Sequence, residues 1–195
     1  MIVPFPISAI FLDRDGTINV DASYVCKIEN FYFIDGVIEA MQEFKRLGFA
    51  LIVVTNQSGL SRGFFNEDEF MNLMKWMSWS LENYNVYLDG IYFCPHHPNG
   101  VIKNLRSKCN CRKPKPGMLL AAQRDLNINM SSSYMIGDKL DDILAGRAAK
   151  IGTSVLVRSN KPITQEANAA ADLIIDNLAV LLTVIKQRSL KSVNK

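Results

Sequence analysis

The sequence is short of everything that would place it in a special class. It has four cysteines, seven prolines and eleven glycines in 195 residues, too few for a disulfide-built miniprotein, a collagen-like repeat or a low-complexity chain. Hydrophobic residues make up 48% and charged residues 21%, which excludes a disordered polyelectrolyte. Lysine and arginine number 22 against 19 acidic residues, a net charge of +3 spread along the chain. Such a balance gives little drive toward nucleic acid. Apolar runs such as Phe49-Ala50-Leu51-Ile52-Val53-Val54 fall far short of the roughly 20 residues that cross a bilayer. The opening Met1-Ile2-Val3-Pro4-Phe5-Pro6 has no basic n-region and no cleavage-site pattern. The expectation is a cytoplasmic protein with neither nucleic acid nor membrane as partner. At this length one domain, residues 1–195, buries roughly 70% of the surface of its unfolded chain.

Short β-rich apolar runs alternate with helix-period segments from end to end, the pattern of an α/β fold in which a mostly parallel sheet lies between two layers of helices. Strands are predicted at 8–12, 50–54, 90–93, 133–136, 154–157 and 173–175, their unbroken apolar character implying burial on both faces. Val37, Ala40, Met41, Phe44 and Leu47 recur at helical spacing before Gly48. Asn66 with Glu69 makes a capping box for a second helix, whose stripe is Phe70, Leu73, Met77 and Leu81. Further helices fit 117–126, 140–150 and 178–186. The methionines and tryptophans at 71–79 read as packing residues, and Cys26 as a small buried hydrophobe. One stretch breaks the rhythm. From Cys94 to Pro116 the chain is rich in Pro, Asn, Lys and Cys and too poor in apolar residues to hold itself together.

Phe11-Leu12-Asp13-Arg14-Asp15-Gly16-Thr17 places two carboxylates just beyond a buried strand, where open α/β sheets bind ligands. A calcium loop is a poor alternative, because the acidic ligands it needs further along are missing. Val53-Val54-Thr55-Asn56 follows a second strand, Arg112-Lys113-Pro114 lies in a loop, and Gly137-Asp138-Lys139-Leu140-Asp141-Asp142 follows a fourth strand. Together and in this order, these segments resemble the haloacid dehalogenase (HAD) superfamily of phosphotransferases. Phosphate-monoester hydrolysis is slow enough to need up to ~10²¹-fold acceleration, so a constellation of groups is required. The resemblance implies that Asp13 is the nucleophile forming an aspartyl-phosphate and that Asp15 is the acid that protonates the leaving alkoxide, then activates water. Mg²⁺ would be held by Asp13, Asp138 and the backbone carbonyl of Asp15, while Thr55 and Lys113 stabilise the transferring phosphoryl group. Lys115-Pro116 repeats the Lys113-Pro114 dipeptide, so Lys115 is a rival for the lysine's role. Asp141 and Asp142 stand where a helix begins and read as dipole-complementing residues outside the metal's shell.

Cys94-Pro95-His96-His97 and Cys109-Asn110-Cys111 supply the ligand types of a closed tetrahedral Zn²⁺ site, expected from Cys94, His96, Cys109 and Cys111, with His97 able to replace His96. Four protein ligands leave no position for water, so such a metal is structural and pins a zinc-binding loop at about 94–111. HAD phosphatases with such a loop form a narrower, histidinol-phosphate phosphatase-like group, and the chain resembles its heptose-bisphosphate branch from Ala9-Ile10-Phe11 to Lys161-Pro162-Ile163-Thr164. That resemblance implies a short loop in place of a large cap. It also implies removal of the 7-phosphate of D-glycero-D-manno-heptose 1,7-bisphosphate, a step toward nucleotide-activated heptose for bacterial lipopolysaccharide. Carried over by position, Arg14 joins Asp13 and Asp15 at the reacting phosphate. Asn19, Asp21, Ala22, Ser23 and Tyr24 form one wall of the site, and Thr55, Asn56, Gln57 and Ser58 another. Arg112 would read the distal phosphate, and Lys139 the substrate or the metal's surroundings. A monomer is expected. Competing readings are a histidinol-phosphate phosphatase, a zinc-stabilised nucleic-acid-binding module, which would need a basic stripe that only 103–115 begins to offer, and a receiver-like domain that keeps its aspartyl-phosphate.

Overall fold

A computed structural model describes residues 5–193; the segment Met1–Pro4, on which part of the leader reading rests, lies outside the described residues. Six strands, β1 (Ala9–Leu12), β2 (Ala50–Asn56), β3 (Gly90–Cys94), β4 (Tyr134–Gly137), β5 (Thr153–Val157) and β6 (Leu173–Ile175), form one sheet in the order β3-β2-β1-β4-β5-β6. Every pairing is parallel. β1 is central, with Leu12 opposite Val53 of β2 and Ile136 of β4.

The pleat sends alternate strand residues to opposite faces. Ile10, Leu12, Leu51, Val53, Ile136 and Val155 face the core under α1 (Val37–Arg46), α3 (Glu67–Glu82) and α7 (Leu178–Val193). Phe11, Ile52, Val54 and Met135 face the other way, onto α4 (Gly117–Leu126) and α5 (Leu140–Ala148). A smaller cluster joins Leu156 and Ile143 to Ala167 of α6 (Gln165–Ala170). Both faces of the strands are therefore covered, which is why their sequences are continuously apolar.

The predicted strands and helices lie within one or two residues of those observed, apart from α7, which runs on past residue 186 to Val193. Asn66 caps α3 through the box with Glu69, each side chain bonded to the other's backbone N–H at 2.9 and 2.8 Å. Trp76 packs edge-on against Phe31 and Met74 is buried, as packing residues, whereas Met71 and Trp79 lie exposed on the outer side of α3. Two short helices, α2 (Ser58–Ser61) and α6, have no signal in the apolar periodicity, being of four and six residues. Cys26 is only half-buried, packed against the edge of the larger core. None of the described helices is long and apolar enough to cross a membrane.

Candidate active site

Between β1 and β4 the sheet's connections leave in opposite directions, opening a crevice at the carboxyl ends of the strands. Asp13 stands there, its N–H donating to Ile136 O across the seam at 2.9 Å. The chain then winds tightly, Ile18 and Asn19 N–H both donating to Arg14 O at 2.8 and 3.1 Å. Gly16 has a left-handed φ of 87°, and a Cβ there would lie 2.4 Å from Asp138 Oδ2. Only glycine lets this loop and Asp138 come so close.

A cleft of about 280 Å³ opens above Asp13, with Asp15, Thr55, Arg112, Lys113 and Lys139 on its lining. Asp21, Ser23 and Tyr24 form one side, and Asn56, Gln57 and Ser58 another. Three residues expected to meet substrate are placed differently. The Arg14 guanidinium is fully buried and donates to both Asp15 oxygens, at 2.8 Å each, and to Val25 O. It therefore holds Asp15 instead of facing the cleft. Asn19, also fully buried, donates to Asp15 Oδ1 at 3.0 Å. Ala22 lines a separate hollow with Val25 and Cys26. Gln57 completes the set, its amide lying 3.1 Å from Asp15 Oδ2 and 2.9 Å from Thr55 Oγ1.

Lys113 is the electrostatic centre. Its side chain is 1% exposed, and its three protons have three acceptors: Val54 O at 2.7 Å, Asp13 Oδ1 at 2.9 Å and Asp142 Oδ1 at 2.6 Å. Asn56 clamps the lysine's own backbone, accepting from Lys113 N and donating to Lys113 O at 3.0 Å each. Burial pulls the lysine's pKa down, but Asp13 and Asp142 outweigh it and hold the ammonium charged. Lys115 sits on an outer surface, reaching Asn110 at 3.4 Å.

Asp142 is both a helix-start residue and part of the cluster. Its Oδ2 accepts from Lys139 N at 3.0 Å, closing the first turn of α5, while Oδ1 takes Lys113. Gly137 makes room for it, since a Cβ there would lie 2.2 Å from the Asp142 carboxyl carbon. Burial, reinforced by Asp13 and opposed by Lys113, pushes the Asp142 carboxyl well above the usual carboxylate range. Asp13, Asp138 and Asp142 each offer an oxygen within 4.8 Å of the others. Both Asp138 oxygens are buried without a hydrogen-bond partner; burial, with Asp13 adding to it, raises the carboxyl's pKa against the pull of Lys139 and Lys161. A buried carboxylate beside two others, whose own cations Lys139 and Lys161 stand off at 3.6 and 3.8 Å, is a donor set for a hard cation. The Asp15 carboxylate, bound by Arg14, Asn19 and Gln57, is not in that cluster.

Beside the cleft, Cys94, His96, Cys109 and Cys111 converge, with Sγ–Sγ separations of 3.1 to 3.4 Å and His96 Nδ1 at 3.4 Å from Cys111 Sγ. This cluster suits a structural metal. His97 points away, its Nδ1 accepting from Asn99 N and its Nε2 near Arg62. Arg112 leaves the cluster directly and donates to His96 O at 3.4 Å. The site residue that sequence reasoning left out is Asp142, whose four-residue spacing from Asp138 is a usable signal; Lys161 approaches from outside the cleft lining, its Nζ 3.8 Å from Asp138 Oδ2.

The chain is similar to known proteins along most of its length. A HAD-hydrolase-like family model matches residues 110–181. The chain is 59% identical over 182 residues to the D-glycero-β-D-manno-heptose-1,7-bisphosphate 7-phosphatase of Yersinia pestis, covering 93% of this chain and 97% of that one. Identity to the Escherichia coli K12 enzyme of the same name is also 59%, over 93% of this chain and 95% of the other. Among solved structures it is similar to D,D-heptose 1,7-bisphosphate phosphatase from B. bronchiseptica complexed with magnesium and phosphate, at a TM-score of 0.78 and 25% identity, covering 93% and 99% of the two chains.

Proposed function

The chain belongs to the family of the D-glycero-β-D-manno-heptose-1,7-bisphosphate 7-phosphatases, HAD-like hydrolases, and on that premise we propose that it hydrolyses the 7-phosphate of this sugar bisphosphate through an aspartyl-phosphate on Asp13. The observation that carries the reading is the meeting of Asp13, Lys113 and Asp138, from three distant segments, in one cleft.

The Asp13 carboxylate attacks phosphorus as the bond to the sugar's C7 oxygen breaks, and Asp15 delivers the proton that the departing alkoxide takes. In the second half, water attacks the acyl phosphate and gives its proton to Asp15, freeing phosphate and Asp13. All the polar contacts of Asp15 come from donors, namely Arg14, Asn19 and Gln57, the arrangement of the base in that second half. Lys113 stays beside Asp13 throughout, and the Thr55 hydroxyl, oriented by Gln57, faces the same phosphoryl position. Asp13, Asp138 and the Asp15 backbone carbonyl would hold a magnesium ion, whose charge offsets the repulsion between a carboxylate and a phosphate dianion, roughly 4 kcal/mol for each of the dianion's two charges at 4 Å and an effective dielectric near 20. Asp142, with both oxygens engaged, stands behind as the partner of Lys113.

Arg112 is suited to the second phosphate, because a guanidinium fork matches phosphate oxygens, and its link to His96 ties it to the Cys/His cluster. Zinc in that cluster would hold Arg112 and Lys113 in register without joining the chemistry. Three of the four cysteines lie in the metal cluster, and we read the chain as a cytoplasmic monomer.

Phosphate release from the β-heptose bisphosphate, assayed with Mg²⁺ and with EDTA, tests the proposal: metal-dependent turnover supports it, and its absence in folded protein rejects it. Comparing kcat/KM with histidinol phosphate decides the substrate class. The Asp13→Asn variant should lose turnover while keeping its thermal melt; full activity in that variant would refute the nucleophile assignment.

A further inference from the structure

The wall made by Asp21, Ser23 and Tyr24 belongs to an excursion closed at its base, where Val20 N donates to Tyr32 O at 2.9 Å and Asn19 pairs with Phe33. Beyond that base, Ser23 and Tyr24 are both left-handed, with φ of 61° and 54°. Two successive non-glycine residues hold that conformation only where their surroundings impose it. Here the Tyr24 ring packs edge-on against Phe64, with centroids 4.6 Å apart, and one carboxylate braces Ser23. Asp21 Oδ1 accepts from Ser23 N at 3.0 Å, and Oδ2 receives the ammonium groups of Lys139, at 3.5 Å, and Lys161.

The two lysines are not equivalent. Lys139 lines the cleft and lies 3.6 Å from Asp138, so it is divided between two carboxylates inside the site. Lys161 approaches from the β5–α6 loop, outside the cleft lining, and it too bonds Asp21 Oδ2. Its loop is itself well anchored. Arg158 N donates to Ile175 O at 2.9 Å, Lys161 N to Ser159 Oγ at 3.2 Å, and Thr164 caps α6. A firm loop thus presents a cation to the carboxylate that shapes the wall.

We propose that Lys161 is a positioning residue, clamping the Asp21 turn over the cleft through its ion pair and so setting how tightly the sugar part of the substrate is held. The substrate half of this statement rests on the phosphatase reading; the clamp itself does not. Lys161 pairs with Asp21 and approaches Asp138 at 3.8 Å, whereas the phosphoryl position is served by Asp13, Lys113 and Thr55. Loss of the clamp should weaken binding and leave the chemical step intact.

The test compares Lys161→Met and Lys161→Arg with the parent, using heptose bisphosphate, p-nitrophenyl phosphate and backbone hydrogen exchange over residues 20–24. Lys161→Met should raise KM for the bisphosphate about tenfold, keep kcat within about twofold and leave p-nitrophenyl phosphate turnover unchanged, since that leaving group is not a sugar held by the wall. Exchange at 20–24 should quicken, and Lys161→Arg should restore both KM and protection, because a guanidinium can make the same charge-assisted bond. Unchanged exchange in Lys161→Met overturns the clamp. Equal losses of kcat on both substrates overturn it as well, by showing that Lys161 acts through Asp138. If the parent does not turn over the bisphosphate at all, the phosphatase reading fails, while the exchange result still decides the clamp.

Discussion

Replacing Lys113 by methionine is the sharpest perturbation of this site. The side chain is 1% exposed and bonds to Asp13 and Asp142, whose side chains are 7% and 1% exposed. Methionine fills most of the space but leaves both carboxylates, and nearby Asp138, without their central cation. Removing one partner of a buried pair costs roughly 3–5 kcal/mol, and in a chain of this size each kcal/mol lowers Tm by roughly 2–4 °C. The expected fall is therefore about 6–20 °C in metal-free buffer, read by circular dichroism. The pH sign is also determined. Burial raises the Asp142 carboxyl in the folded state above its unfolded value, so the folded form holds its proton more tightly and stability is lost as pH rises above that unfolded value. Without Lys113 this loss deepens, and the variant should be most impaired on the alkaline side. Adding Asp142→Asn should recover part of the difference, giving a non-zero coupling in a double-mutant cycle. A Lys113→Met protein melting within about 2 °C of the parent at acid and alkaline pH would refute the reasoning.

Two further outcomes follow from other parts of the structure, beside the loss of turnover expected of Asp13→Asn. Cys111→Ser removes a sulfur that lies within 3.2 Å of both other thiols of the cluster; if the cluster holds zinc as proposed, metal analysis should find stoichiometric zinc in the parent and none in the variant, with Tm lowered, and a variant retaining stoichiometric zinc would contradict the four-ligand assignment. Arg46 and Lys186 hold the half-buried Glu43 carboxyl down at about 2, so the small advantage of the parent over Glu43→Gln is present above the unfolded carboxyl range and should disappear as pH falls toward 2. Melts of the two proteins along an acid series check this, and a difference that persists at the acid end would count against it.

Much was legible in the sequence because the signals are local. Unbroken apolar strands flanked by amphipathic helices imply a covered parallel sheet, and Asp13-Arg14-Asp15-Gly16-Thr17 after the first strand marks its reactive end. The Cys-x-His and Cys-x-Cys spacings likewise select ligand types through residue identity alone. What stayed illegible concerns side-chain direction. Lys113 and Lys115 have the same Pro neighbour, and His96 and His97 are adjacent; only the packed loop turns Lys113 inward onto Asp13 and His96 onto the thiols. Arg14 looks like a phosphate ligand in the linear motif, yet the fold buries it against Asp15 and Val25.

The amino-acid order by itself determined the class of fold and which residue types gather in the Asp13 loop and in the cysteine cluster, because periodicity and residue type act over a few positions. Tertiary structure decided the partners: Asp142 beside Lys113, and Lys161 on Asp21 across 140 positions of chain. Such pairings depend on which strands are neighbours in the sheet and which loops leave the same edge, and these are properties of the assembled packing that no short stretch of sequence carries.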